Sequence, residues 1–174
     1  MTLQFETQGP VAILTIDRPE VHNAVDFDTT DALIEAWTRF RDEDDLRVAI
    51  LTGSGERAFC AGAELGGDMA DGGHPLVSMH AVNAAALALH TLTKPTLAKV
   101  GGDAVGAGMN MILACDLVIA GRSARFDSRF LTIGIHPGGG HTWRLRNITD
   151  LQTAKAMVLF EQILNGEEAV RHGV

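Results

Sequence analysis

Lysine is scarce: Lys94, Lys99 and Lys155 are the only three in a 174-residue chain whose formal net charge is −8. No basic face exists to neutralise a nucleic-acid backbone or an anionic membrane surface, so neither partner is expected. Cysteine is scarce too. Cys60 and Cys115 lie far apart and in no CxxC or other metal-ligand spacing, so both read as buried free thiols. A long hydrophobic run is also missing, and the N-terminal MTLQFETQGP has no basic segment followed by an apolar one. A soluble cytoplasmic protein is the expectation.

Glycine, by contrast, is abundant, and its nineteen copies gather at Gly53 to Gly73, Gly101 to Gly108 and Gly134 to Gly140. Clusters of this kind mark tight turns or places where backbone approaches a ligand. The length suits a single domain over residues 1–174. At 46% hydrophobic and 21% charged residues, the composition argues against disorder.

Val11 to Asp17 is short, rich in β-branched residues and bounded by Gly9-Pro10 and Arg18-Pro19, which predicts a strand. From Asp28, the apolar residues Leu33, Ile34, Trp37 and Phe40 recur at helical spacing, with Asp26, Asp28 or Thr29 available as the cap. Arg47 to Gly53 predicts a second strand, apolar enough to be covered on both faces. A helix follows from His74 to Leu92, closed by Pro95, and then a strand from Thr96 to Val100. Gly106 to Cys115 reads as a short buried helix, Asp116 to Ala120 as a strand, Ile148 to Leu159 as a helix, and Gly166 opens another. Strands alternating with helices put the chain in the α/β class. A dinucleotide loop at Gly106-x-Gly108 is disfavoured, because Met111 stands where the third glycine would be.

Several blocks occur in a fixed order: Arg18-Pro-Glu-Val-His-Asn-Ala24, Val48 to Gly53, Ala58-Phe-Cys-Ala-Gly-Ala-Glu-Leu65 and Lys94-Pro95. Val100 to Gly108, Ala114-Cys-Asp116 and Ile135 to Leu145 complete the series. Together they resemble the enoyl-CoA hydratase/isomerase family, the crotonase superfamily. The resemblance implies a spiral of ββα units with surrounding helices, assembled as a homotrimer or hexamer. It further implies a bent acyl-coenzyme A thioester as partner, with no cofactor beyond the coenzyme A of that substrate. Family members continue into a C-terminal helical region that this chain is expected to lack, which would leave apolar surface uncovered unless another chain meets it.

By this resemblance the N–H groups of Ala63 and Ala107 form an oxyanion hole. Physical chemistry agrees with the residue types. Ala61-Gly-Ala63 and Gly106-Ala-Gly108 are small enough for backbone to approach a ligand, and the second block opens a helix whose first amides lack partners. Val21, His22 and Ala24 are implied near the coenzyme A phosphates, and Ala61, Ala63 and Leu65 near its adenine and pantetheine. His22 alone could bring charge, its other reading being a solvated loop histidine.

The acid–base residues depart from the family pattern. Hydration needs a base and an acid, which the family supplies as two glutamates; here those positions are Asn110 and Phe130. A third position, aspartate in some relatives, is Gly138. An amide orients water without deprotonating it, and a phenyl ring does neither. His136, with an ordinary pKa near about 6.5, is the expected proton carrier, or else a turn residue packed before Pro137. His141, Glu64 and Asp68 are the other polar candidates. No third ligand makes His136 and His141 a metal site. Asp127 and Arg129 are expected to pair, Asp116 to brace a strand turn, and Trp37 and Trp143 to be core aromatics. An acyl-CoA-processing enzyme of uncertain reaction is thus expected, the competing reading being a non-catalytic acyl-CoA-binding or regulatory protein.

Overall fold

The computed structural model describes residues 2–64 and 75–174. Among the described residues, nine strands form two sheets. The larger holds β1 (Leu3–Gln8), β2 (Val11–Ile16), β3 (Val48–Gly53), β5 (Thr96–Val100) and β7 (Leu117–Ala120), in the order β1-β2-β3-β5-β7. The smaller holds β4 (Ala58–Cys60), β6 (Asp103–Val105), β8 (Arg125–Asp127) and β9 (Leu164–Asn165), in that order. Only β1 and β9 run antiparallel to their neighbours among these strands. The chain therefore gives one strand to the large sheet and the next to the small one, three times over: β3 then β4, β5 then β6, β7 then β8. The helices are α1 (Phe27–Asp42), α2 (Pro75–His90), α3 (Ala107–Ile112), α4 (His141–Ile148), α5 (Leu151–Leu159) and α6 (Gly166–His172).

Two of the three corners between sheets are too tight for a side chain. A Cβ on Gly102 would lie 2.4 Å from the Arg57 carbonyl oxygen, and one on Gly53 would lie 2.2 Å from that of Phe59. Glycine lets β3 and β5 turn into the second sheet while their backbones stay in contact with β4.

The core lies between the large sheet and α1, α2 and α3. In β2, Ala12, Leu14 and Ile16 are fully buried and alternate with half-buried neighbours. β3 alternates the same way through Ala49 and Leu51, so it is covered completely on one face and only partly on the other, not on both as its composition suggested. Helix α1 starts on Asp26, whose carboxylate accepts from the Thr29 N–H at 2.8 Å, and buries Leu33, Ala36, Trp37 and Phe40. Its last carbonyls receive the Lys94 ammonium, 2.9 Å from Phe40 O and 2.7 Å from Glu43 O.

Other expectations met different outcomes. Asp116 braces the start of β5 as expected, accepting from the Thr96 N–H and hydroxyl at 2.8 Å each. Trp37 is buried, but Trp143 is 60% exposed, so it is not a core aromatic. The helix foreseen from Ile148 to Leu159 starts three residues later, at Leu151: Ile148 ends α4, Thr149 is extended, and Asp150 caps α5 by accepting from Gln152 N and Thr153 N. Edge strand β7 exposes Leu117 and Ile119 at 65% and 62%. Among the described residues, no helix is long and apolar enough to cross a membrane.

Asn23 fastens the turn before α1 to the rest. It is fully buried, sits at φ 57°, accepts from Arg18 N at 3.0 Å and donates to Ser54 O at 2.9 Å and Ala58 O at 2.8 Å. Asn23→Ala removes these bonds and strands a buried carbonyl, so a loss of roughly 3 kcal/mol is expected in urea unfolding. A loss below about 0.5 kcal/mol would show that the turn is held by something else.

Candidate active site

Two backbone segments meet at one cavity. The first, residues 61–64, is stitched onto the turn before α1: Ala61 N donates to His22 O at 3.0 Å, Val25 N to Gly62 O at 2.8 Å and Glu64 N to Val25 O at 2.9 Å. Ala63 thereby forms a parallel bridge with Val25. In that pairing the bonds belong to its neighbours, and the Ala63 N–H faces away from Val25. The second segment is the start of α3. Gly106, at φ 52° and ψ −111°, turns β6 into the helix, and Ala107 is the first helical residue. Its N–H belongs to the first turn, where no intrahelical acceptor exists.

Close approach unites them. A Cβ on Gly108 would lie 2.3 Å from the Cys60 carbonyl oxygen, so α3 can rest on the end of β4 only because residue 108 lacks a side chain. A Cβ on Gly62 would lie 3.7 Å from Ala107 N. The resulting cavity, about 270 Å³, is lined by Ala61, Gly62 and Ala63 on one side and by Val105, Gly106 and Ala107 on the other. Asn83, Ser128, Arg129, Phe130, Ile133 and Ile135 complete its wall. None of these lining residues is a carboxylate, and most of the surface is apolar.

A neutral hydrogen-bonded chain lies behind this wall. Asn110, fully buried on α3, donates through Nδ2 to Gly138 O at 3.2 Å and to Asn83 Oδ1 at 3.3 Å. Gly138 O can only accept, so the amide nitrogen must face it and Asn110 Oδ1 must face His141, 2.8 Å from Nδ1. His141 therefore carries its proton on Nδ1 and accepts at Nε2 from the Ser128 hydroxyl, 2.8 Å away. Phe130 packs edge-on against the imidazole, ring centroids 4.9 Å apart. Burial, aided by the nearby Arg144 guanidinium, pushes the His141 pKa down to about 4.

The expected site residues are distributed unevenly over this arrangement. Ala61, Ala63 and Ala107 line the cavity, and Asn110 stands behind it. His136 is exposed, one residue beyond the lining Ile135 and outside the Ser128–His141–Asn110 chain. Val21 is half-buried, Ala24 buried and His22 exposed. His22 borders a separate surface cleft with Pro19, Ser54 and Arg57. Leu65 and Asp68 lie outside the described residues. Glu64 is tied to Arg18, 2.8 Å away, which also holds Asp26 at 3.0 Å. Asp127 and Arg129 pair as expected, with Arg129 Nε 2.8 Å from the carboxylate. A side chain at Gly138 would have met the Asn83 amide, 2.6 Å from its Cβ. Sequence reasoning did not single out Ser128, Asn83 or Asn23. Ser128 follows the three-residue strand β8, too short to give it a periodic signal in the sequence.

These features define a mixed α/β protein with a small apolar cavity beneath two backbone turns, and comparison gives the class a name. The enoyl-CoA hydratase/isomerase profile matches residues 6–174, and the chain belongs to that family. A Mycobacterium tuberculosis protein described as "Probable enoyl-CoA hydratase" is 41% identical over 168 residues, covering 94% of this chain and 64% of that protein. The (E)-benzylidenesuccinyl-CoA hydratase of Thauera aromatica is 35% identical over 178 residues, covering 100% and 68%. The crystal structure of an enoyl-CoA hydratase from Bacillus anthracis superposes with a TM-score of 0.93 at 28% identity, covering 99% of this chain and 68% of that one. The crotonase-like architecture expected from the sequence is thus the observed fold. The chain spans a little under two thirds of the mycobacterial relative's length.

The depressed basicity of His141 makes a stability prediction. In the unfolded chain the imidazole titrates near about 6.5, whereas in the native state it stays neutral down to about 4. Between these values the unfolded state binds the extra proton, so stability falls as pH falls through this window, by roughly 3 kcal/mol in all. Denaturant melts from pH 7 to pH 4 should show this slope, and His141→Gln should remove it. An unchanged slope in that variant would assign the effect to other groups.

Proposed function

We propose that the chain binds an acyl-coenzyme A thioester and stabilises negative charge on its carbonyl oxygen with the N–H groups of Ala63 and Ala107. The observation that supports this is the meeting of two segments, 61–63 and 105–107, on one apolar cavity. One of them opens a buried helix, where partial positive charge favours a developing oxyanion. Val21, His22, Ala24, Ala61, Ala63 and Leu65 are the residues proposed to meet coenzyme A, and no separate cofactor is invoked. The exposed leucine and isoleucine of β7 favour association into a trimer or hexamer, to be checked by light scattering.

Two-glutamate hydration does not fit this site, because Asn110 and Phe130 carry no titratable group. A second reading, binding without turnover, is favoured because, among the described residues, none that lines the cavity is a carboxylate. The two readings diverge in one measurement: product in excess of protein after prolonged incubation with acyl-CoA eliminates binding alone.

Polarisation of the carbonyl is testable whichever reading holds. Infrared difference spectra of acyl-CoA labelled with carbon-13 at the carbonyl should show the C=O stretch moved to lower frequency on binding. Gly108→Ala, which pushes α3 off Cys60, should return the band toward its free position and lower any turnover by about 100- to 1,000-fold. A band that does not move in the unaltered protein would remove the two-amide proposal.

A further inference from the structure

A second chemical array reaches the same cavity. Ser128 lines it, with its hydroxyl 2.8 Å from His141 Nε2. The opposite ring nitrogen donates to Asn110 Oδ1 at 2.8 Å, and the Gly138 carbonyl fixes the direction of that amide. A hydroxyl donating to a neutral imidazole that an amide oxygen orients is the arrangement that makes a weak alcohol nucleophile reactive. Mutual satisfaction of buried polar groups accounts for the bonds themselves. It does not account for their presence, because a serine and histidine buried together can be replaced by apolar side chains at little cost.

We propose that Ser128 is an acyl-accepting nucleophile and that the chain hydrolyses a thioester through an acyl-serine ester. The proposal rests on a thioester occupying the cavity as described above. Ser128 Oγ attacks the carbonyl carbon while its proton passes to His141 Nε2, and the carbonyl oxygen takes the electron pair toward the Ala63 and Ala107 amides. Collapse of the tetrahedral species breaks the C–S bond, and the departing thiolate takes the proton from Nε2 and leaves as the thiol. Water then attacks the ester, gives a proton to Nε2 and releases the carboxylic acid as Ser128 regains its hydrogen.

Asn110 orients His141 throughout and touches no reacting atom, which makes it a positioning residue. Phe130 packs edge-on against the imidazole, which helps keep the ring aligned with Ser128. Burial weakens His141 as a base in the resting protein. Negative charge growing on the reacting carbonyl oxygen works in the opposite direction as the proton moves.

Three readouts on the 174-residue chain test this. Calorimetric titration with an S-alkyl thioether of coenzyme A reports occupancy without reaction. Intact-mass and peptide mass spectrometry, after mixing with acyl-CoA or a fluorophosphonate probe, report a covalent bond at Ser128. A thiol-reactive disulfide reports release of coenzyme A. The expected result is thioether binding, a mass increment on the Ser128 peptide and continuous thiol release. Ser128→Ala should lose the increment and lower thiol release by more than about 1,000-fold. Its melting temperature, measured alongside, excludes unfolding as the cause. Thioether binding with neither increment nor thiol release overturns the nucleophile while the thioester site stands. No thioether binding overturns both.

Discussion

The contact on which the site depends is the seating of α3 against the end of β4, where Gly108 meets the Cys60 carbonyl with no room for a methyl group. Because the contact is backbone to backbone, it places the first turn of a helix beside the loop that follows β4. The candidate site is arranged around that junction. Ala63 and Ala107 border one cavity, and Asn110, three residues beyond Ala107, is carried behind its wall. A side chain at residue 108 would separate the parts without changing any of them.

The spiral fold explains why such a junction forms. Each pass of the chain sends one strand to the large sheet and the next to the small one, and in the first two passes the corner holds a glycine pressed against neighbouring backbone. The loops after β4 and β6 consequently lie side by side although more than forty residues separate them. Parallel pairing of β4 with β6 fixes their relative height. Strand register brings the two small-residue segments together, and Phe130, Ile133 and Ile135 close the rest of the cavity's wall.

Asn110 behind the cavity and Phe130 in its wall offer an amide and a phenyl ring, and the consequence is electrostatic. A buried carboxylate would demand a positive partner or a raised pKa. Asn110 demands only hydrogen bonds: it donates to the Gly138 carbonyl and Asn83 Oδ1 and accepts from His141 Nδ1. The neutral amide leaves the imidazole without a charge to stabilise its protonated form, which is why burial dominates and the ring stays neutral. The polar chain from Asn83 to Ser128 is thereby a set of oriented dipoles, with chemistry set by direction more than by charge.

By itself the sequence determined the α/β class, the strands at β2, β3, β5 and β7 and the helices at α1, α2 and α3, because periodicity and turn residues are local signals. It also made legible the small-residue blocks around Ala63 and Ala107, since closeness of backbone needs glycine and alanine at particular places. The short strands β4, β6, β8 and β9 carry two or three residues each, too few for a periodic pattern, and exist only through pairing. Tertiary structure alone decided between the two histidines: His136 and His141 flank the same glycines, yet one is exposed and the other is locked between Ser128 and Asn110. Which side chains meet across 13 and 31 residues is fixed by how strands and helices stack, and no local pattern records that.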